Sequence, residues 1–219
     1  MTLLDFPGAV ACTVFTGGCN LRCPFCHNAD LVRTPTMYVN MLPQVMEYLE
    51  KRKGLIDGVC VTGGEPLLQP DLLQFLKTVK DMGYRIKLDT NGSLPDKLSR
   101  ILATDLIDYV AMDVKSSKTG YPLAIGSETD FSLFEESIPL LRTSGIDHEF
   151  RTTVVKGIHT PSDLEEIAKM LEGEEKFFLQ TFKDSGNLLK SGFEAFSSQE
   201  MAEMLKTVKQ YIPTAVLRG

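Results

Sequence analysis

Strand-like and helix-like segments alternate along this chain, and that alternation limits its fold more than any other feature. Short runs rich in β-branched and apolar residues fall at 9–15, 58–62, 84–89, 106–114, 149–155 and 176–182. Between them lie segments of helical periodicity. Leu42, Val45, Met46 and Leu49 are spaced i, i+3, i+4, i+7, as are Leu164, Ile167, Ala168 and Leu171, and Met201, Met204, Leu205 and Val208. Further helices are expected at 71–82, 95–103 and 132–143. Capping-box chemistry marks two helix starts, Thr160-Pro161-Ser162-Asp163 and Ser197-Ser198-Gln199-Glu200. Six strands each followed by a helix imply parallel pairing through right-handed crossovers. An eight-unit barrel takes about 250 residues, so a chain of 219 holds six units as a curved, open barrel. A flat doubly wound sheet is the competing architecture. No repeat or low-complexity linker divides the chain, so one domain over 1–219 is expected.

Composition excludes several classes. Apolar residues at 43% and charged residues at 24% are incompatible with disorder. Lys plus Arg number 23 against 29 Asp plus Glu, a net charge of −6, so there is no basic footprint for nucleic acid. No apolar run approaches the roughly 18 residues of a membrane helix, and no basic n-region precedes an apolar stretch. A soluble, cytoplasmic protein with no membrane partner is expected.

The polar residues cluster behind the strands. Thr16-Gly17-Gly18-Cys19-Asn20-Leu21-Arg22-Cys23-Pro24-Phe25-Cys26-His27-Asn28 follows the first, and Thr62-Gly63-Gly64-Glu65-Pro66 the second. Asp89-Thr90-Asn91-Gly92 closes the third, Asp113-Val114-Lys115 the fourth, and Gln180-Thr181-Phe182-Lys183 the sixth. In parallel α/β folds the carboxyl ends of the strands share one face, where ligands bind. Five segments would therefore meet at one cavity.

Cysteines stand at 12, 19, 23, 26 and 60, and three of the five crowd into eight residues. Neighbours so close cannot staple a fold, so they read as a metal or redox site. Soft thiolates select zinc or iron–sulfur centres. Structural zinc takes four ligands, while catalytic metals keep a position open. A zinc site drawing on His27 or Cys60 as fourth ligand is the bland alternative. Cys12 and Cys60 sit in apolar strand runs and read as core; His148 and His159 read as surface or turn residues.

The Cys19-x-x-x-Cys23-x-Phe25-Cys26 loop resembles the signature of the radical S-adenosylmethionine (SAM) superfamily. Its Cys26-His27-Asn28 ending resembles the glycyl-radical-enzyme activases, the group of pyruvate formate-lyase activating enzyme and anaerobic ribonucleotide reductase activating protein. Leu4-Asp5-Phe6-Pro7-Gly8 is similar to the lead-in of the latter. The resemblance implies a partial (β/α)6 radical SAM barrel of parallel strands, open on one side. It implies that Cys19, Cys23 and Cys26 ligate three irons of a 4Fe-4S cluster, with SAM on the fourth. Electron transfer to the sulfonium then gives methionine and a 5′-deoxyadenosyl radical, which takes a hydrogen atom from the substrate.

The same resemblance assigns the other site residues. Phe25 and His27 lie beside the cofactors, and Gly63-Gly64-Glu65-Pro66 resembles the motif for the SAM amino group. Asp89 and Asp113, with Thr90 nearby, match positions that hold a monovalent cation beside SAM in the pyruvate formate-lyase branch. Lys115 approaches the methionine carboxylate, and Arg151 matches an arginine suited to bidentate carboxylate binding. At Lys183 the chain departs from that branch, which carries histidine there.

A glycyl-radical enzyme is the implied partner, most closely an anaerobic ribonucleotide reductase, with flavodoxin or ferredoxin as a low-potential electron donor. A radical SAM enzyme acting on a small molecule, such as one resembling 7-carboxy-7-deazaguanine synthase, is the second reading. A zinc-stabilised α/β binding module is the third.

Overall fold

The computed structural model describes residues 1–34 and 41–219. The chain runs β1 (Ala11–Thr16), α1 (Ala29–Arg33), α2 (Leu42–Lys51), β2 (Gly58–Gly63), α3 (Leu72–Asp81), β3 (Arg85–Thr90), α4 (Pro95–Leu102) and β4 (Tyr109–Asp113). It continues with α5 (Tyr121–Ile125), α6 (Phe131–Thr143), β5 (Asp147–Val154), α7 (Pro161–Met170), β6 (Phe177–Thr181), α8 (Ser198–Val208) and β7 (Val216–Arg218). All six expected strands are present. A seventh, β7, pairs with β6 through Phe178↔Val216 and Gln180↔Arg218.

The sheet order is β1-β2-β3-β4-β5-β6-β7, and every neighbouring pair is parallel. A doubly wound sheet reverses its order at a switch point. Sequential order without pairing between β1 and β7 is that of a curved sheet left open, so the open-barrel expectation holds and the flat alternative falls.

The two faces of the sheet bury different chemistry. Val59, Val61, Ile86, Leu88, Val110 and Met112 pack outward against Leu76, Val79, Leu98 and Ile101 of the helices. Burying each such side chain contributes about 1.5–3 kcal/mol. The opposite face carries Cys60, Lys87, Asp89, Tyr109, Glu149 and Arg151, which contact one another across strands. Lys87 and Glu149 are each only 1% exposed.

Both expected capping boxes form. The Thr160 hydroxyl accepts the Asp163 N–H while the Asp163 carboxylate accepts the Thr160 N–H, and Ser197 and Glu200 repeat the exchange. These caps set where α7 and α8 begin, and so where the loops after β5 and β6 turn back. Among the described residues no helix is long and apolar enough to cross a membrane.

Candidate active site

At the carboxyl ends of the strands lies a cavity of about 250 Å³. The loops after β1, β2, β3 and β4 supply its walls, and Arg151, Thr153 and Gln180 reach it from β5 and β6. The expected convergence of segments is therefore present.

The cysteine loop spans from the end of β1 to α1 and is tied to three other parts of the chain. The Gly18 N–H donates to the Leu31 carbonyl, Arg22 N–H to Ile125, and Lys190 N–H to Pro24, each at 2.8 Å. Cys19, Cys23 and Cys26 are free thiols that all line the cavity. Burial raises the Cys19 thiol and pushes the Cys23 thiol up to about 12, with Lys115 working in the opposite direction. Any metal bound here must displace those protons. Among the described residues no three His, Cys, Asp or Glu side chains close on a single ion. Cys12 and Cys60 are buried away from the cavity as expected, and Lys87 Nζ lies 3.9 Å from the Cys60 sulfur.

The Gly-Gly-Glu-Pro turn packs directly on that loop. Gly63 has φ +119°, and a Cβ there would fall 2.3 Å from the Thr16 nitrogen. At Gly64 a Cβ would fall 1.8 Å from the Gly18 carbonyl oxygen. Only glycine allows these backbones to approach so closely. Gly63 and Gly64 line the cavity, whereas Glu65 and Pro66 are buried behind its wall.

The Glu65 carboxylate is fully buried and engaged within the chain. Oε1 accepts from the Leu67 N–H at 3.1 Å and the Thr90 hydroxyl at 2.9 Å. Oε2 accepts the Asn91 N–H at 2.7 Å. Burial lifts its pKa to about 7, against the pull of those three hydrogen bonds. Its present role is to lock the β2 turn to the β3 turn.

An alternating chain of charge climbs the inner face of the sheet. Lys87 pairs with Asp89, and Asp89 Oδ2 lies 3.2 Å from Arg151 Nη1. Arg151 Nε donates to Asp113 Oδ1 at 2.8 Å, and Lys115 Nζ to Asp113 Oδ2 at 2.8 Å. Burial alone would raise the Asp113 carboxyl, but Arg151 and Lys115 outweigh it and hold it below the usual range. Burial would likewise lower Lys115, and Asp113 and then Cys23 raise it instead. Below this chain Glu149 takes two hydrogen bonds from Arg218, at 3.0 and 3.3 Å, and one from the Tyr109 hydroxyl at 3.0 Å.

Aromatic rings back the cysteine loop. Phe25 is buried, with its ring edge-on to His159 at 6.2 Å and to Phe193 at 6.5 Å. His27 lines the cavity, its ring 5.4 Å from that of Phe182, and burial lowers its pKa although Asp184 opposes this. Lys183 is exposed and outside the cavity wall; Gln180 lines it instead, accepting from the Thr153 hydroxyl at 3.3 Å. His159 ends the turn after β5, as one half of the expectation has it, but it is not a surface residue: it is 3% exposed and bonded to the Lys115 carbonyl. His148 is partly buried and paired with Glu174.

Comparison with known proteins agrees with this geometry. A protein of Methanocaldococcus jannaschii, provisionally described as a glycyl-radical enzyme activating enzyme, is 29% identical over 227 residues, covering 100% of this chain and 92% of its own. The pyruvate formate-lyase-activating enzyme of Listeria monocytogenes is 35% identical over 127 residues, which is 52% of this chain and 50% of that protein. Among solved structures, Streptococcus suis SuiB bound to S-adenosylmethionine superposes with a TM-score of 0.76 at 14% identity, covering 98% of this chain and 51% of SuiB. The model of the radical SAM superfamily matches residues 13–171. With its parallel, open sheet and its cysteine loop at the strand ends, the chain belongs to the radical SAM superfamily of enzymes.

Proposed function

We propose that this chain is a glycyl-radical-enzyme activase, and that its substrate is a backbone glycine of a partner resembling anaerobic ribonucleotide reductase. One observation carries the reading: three free thiols, the Gly63–Gly64 backbone and the Asp113–Lys115–Arg151 charges line the same cavity. The donor set fits the family's cofactor, since three soft thiols on one loop suit an iron–sulfur cluster. Similarity over the full length of this chain to a relative described as a glycyl-radical enzyme activating enzyme supports a glycyl-radical enzyme as partner. The Leu4-Asp5-Phe6-Pro7-Gly8 lead-in is what favours the ribonucleotide reductase type.

In this reading Cys19, Cys23 and Cys26 hold a 4Fe-4S cluster, with S-adenosylmethionine beside it. Together the two cofactors supply the reductive carbon–sulfur cleavage and the radical that abstracts hydrogen. The protein's contribution is orientation and charge. Gly63 and Gly64 give the SAM amino group a wall without side chains, and Glu65 braces that wall from behind. Lys115 offers its ammonium to the methionine carboxylate as a point charge. Asp113 keeps Lys115 charged and in place, and Arg151 fixes Asp113. Asp89 and Asp113, with Thr90, are the oxygen donors for a monovalent cation, which would share them with Lys87, Arg151 and Lys115. Phe25 and His27 border the cofactors, and flavodoxin or ferredoxin would deliver the electron.

The test is anaerobic reconstitution with iron and sulfide, addition of reductant, SAM and an anaerobic ribonucleotide reductase, and electron paramagnetic resonance of the product. A glycyl doublet is expected. Formation of 5′-deoxyadenosine with no glycyl radical on any such partner would shift the reading to a small-molecule substrate. Zinc bound stoichiometrically in place of iron and sulfide would end it.

A further inference from the structure

Asn91 follows β3, is 6% exposed, and is held on every side. Its backbone N–H donates to Glu65 Oε2 at 2.7 Å. Its side-chain oxygen accepts twice, from the Ser93 N–H at 2.9 Å and the Ser93 hydroxyl at 2.6 Å. Those two donors settle which end of the amide is oxygen, so the NH₂ group must face the other way. There it donates to Asn20 Oδ1 at 3.1 Å and lies 3.8 Å from the Cys19 sulfur. Asn20 closes the ring by donating to Ser93 Oγ at 2.8 Å.

Cys19 also receives the Leu21 N–H at 3.4 Å. Among the described residues no N–H donor of the chain reaches the sulfur of Cys23 or Cys26, so the three thiols are not equivalent. Hydrogen bonds to the sulfurs of an iron–sulfur cluster are one of the terms that set its potential. An N–H directed at a thiolate stabilises added negative charge, which favours the reduced form.

Resting on the activase reading of the site, we propose that Asn91 is a positioning residue that tunes the cluster through Cys19. It raises the reduction potential of the 4Fe-4S centre by donating to that one ligand, and Glu65 and Ser93 exist behind it to fix the amide's direction. The motif glutamate thereby acts on the cluster at one remove, through the Asn91 backbone.

The experiment is a potentiometric titration of the reconstituted protein, followed by electron paramagnetic resonance, for wild type, Asn91→Ala and Ser93→Ala. Asn91→Ala should make reduction about tenfold less favourable, a fall of about 59 mV for a one-electron couple. Ser93→Ala removes one of the two donors that fix the amide while the residue 93 N–H keeps the other, and should lower the midpoint by less than Asn91→Ala does. An unchanged midpoint in Asn91→Ala at equal iron content overturns the proposal. Wild type labelled with ¹⁵N in asparagine side chains gives a second measurement that needs no variant to fold. A nitrogen coupling to the reduced cluster is expected, and its absence overturns the assignment. Wild type that assembles no 4Fe-4S cluster overturns the reading of the site itself, a result plainly different from a cluster whose potential ignores Asn91.

Discussion

The His159 ring joins two strand ends: Nε2 lies 2.7 Å from the Lys115 carbonyl oxygen, and Nδ1 accepts the Val155 N–H at 3.0 Å. This pattern requires the neutral ring with its proton on Nε2, and burial lowers the imidazole's pKa accordingly. His159→Ala should leave a buried carbonyl and a buried N–H without partners. At roughly 1–3 kcal/mol for each such group, a loss of about 3 kcal/mol is expected in anaerobic denaturant titration. SAM affinity should weaken with it, because the Lys115 backbone is released.

Replacing Cys23 with alanine removes one of three proposed ligands. Iron and sulfide content after reconstitution should collapse, and 5′-deoxyadenosine production should be lost with it. Cys12→Ala should keep both, since Cys12 is a core residue remote from the cavity. Equal iron content in the two variants would refute the assignment.

Arg151 touches Asp89 and Asp113 and lies 3.9 Å from Glu149. Arg151→Met should leave Asp89, Asp113 and Glu149 each with its remaining cation, Lys87, Lys115 or Arg218, and cost about 1–3 kcal/mol for the lost charge-assisted hydrogen bonds. Thermal unfolding measures this. Arg151→Lys keeps the charge but cannot bridge two aspartates with a planar fork, so it should recover only part of the loss.

On the opposite end of the sheet His148 Nε2 lies 3.1 Å from Glu174, which also accepts from Arg142 Nε at 2.5 Å. The hydrogen bond to Glu174 raises the His148 pKa above its ordinary 6.5, although burial and Lys176 oppose it. A raised folded-state value stabilises the fold fully below 6.5, and the contribution fades as pH climbs past the raised value. Between about pH 6 and 8, wild type should lose stability relative to His148→Gln, measured by urea denaturation at each pH.

How far the sequence can be read depends on where each signal lives. Strands and helices with strong periodicity, such as β2 and α7, fall where the pattern puts them, because apolar spacing and capping are local properties. β7 escaped because three residues, Val216-Leu217-Arg218, are too few to show a period. Helices α1 and α5, of five residues each, are too short for the same reason. The alternation Arg85-Ile86-Lys87-Leu88-Asp89 looks like a strand with one wet face; in the fold, Lys87 turns into the barrel, where Asp89 pairs with it. At the cavity, the cysteines and glycines were legible because their spacing is itself the signal. His159, Asn91 and Thr153 were not, because their roles come from partners 27 to 72 positions away in the chain.

At Gly18 and Gly64 two loops touch main chain to main chain, with no gap that even a methyl group could enter. Neither loop can be redrawn unless the other moves in step. A side chain introduced at Gly64 would therefore push the cysteine loop itself, whereas one changed at Gln180, on the far wall of the cavity, leaves that seam untouched.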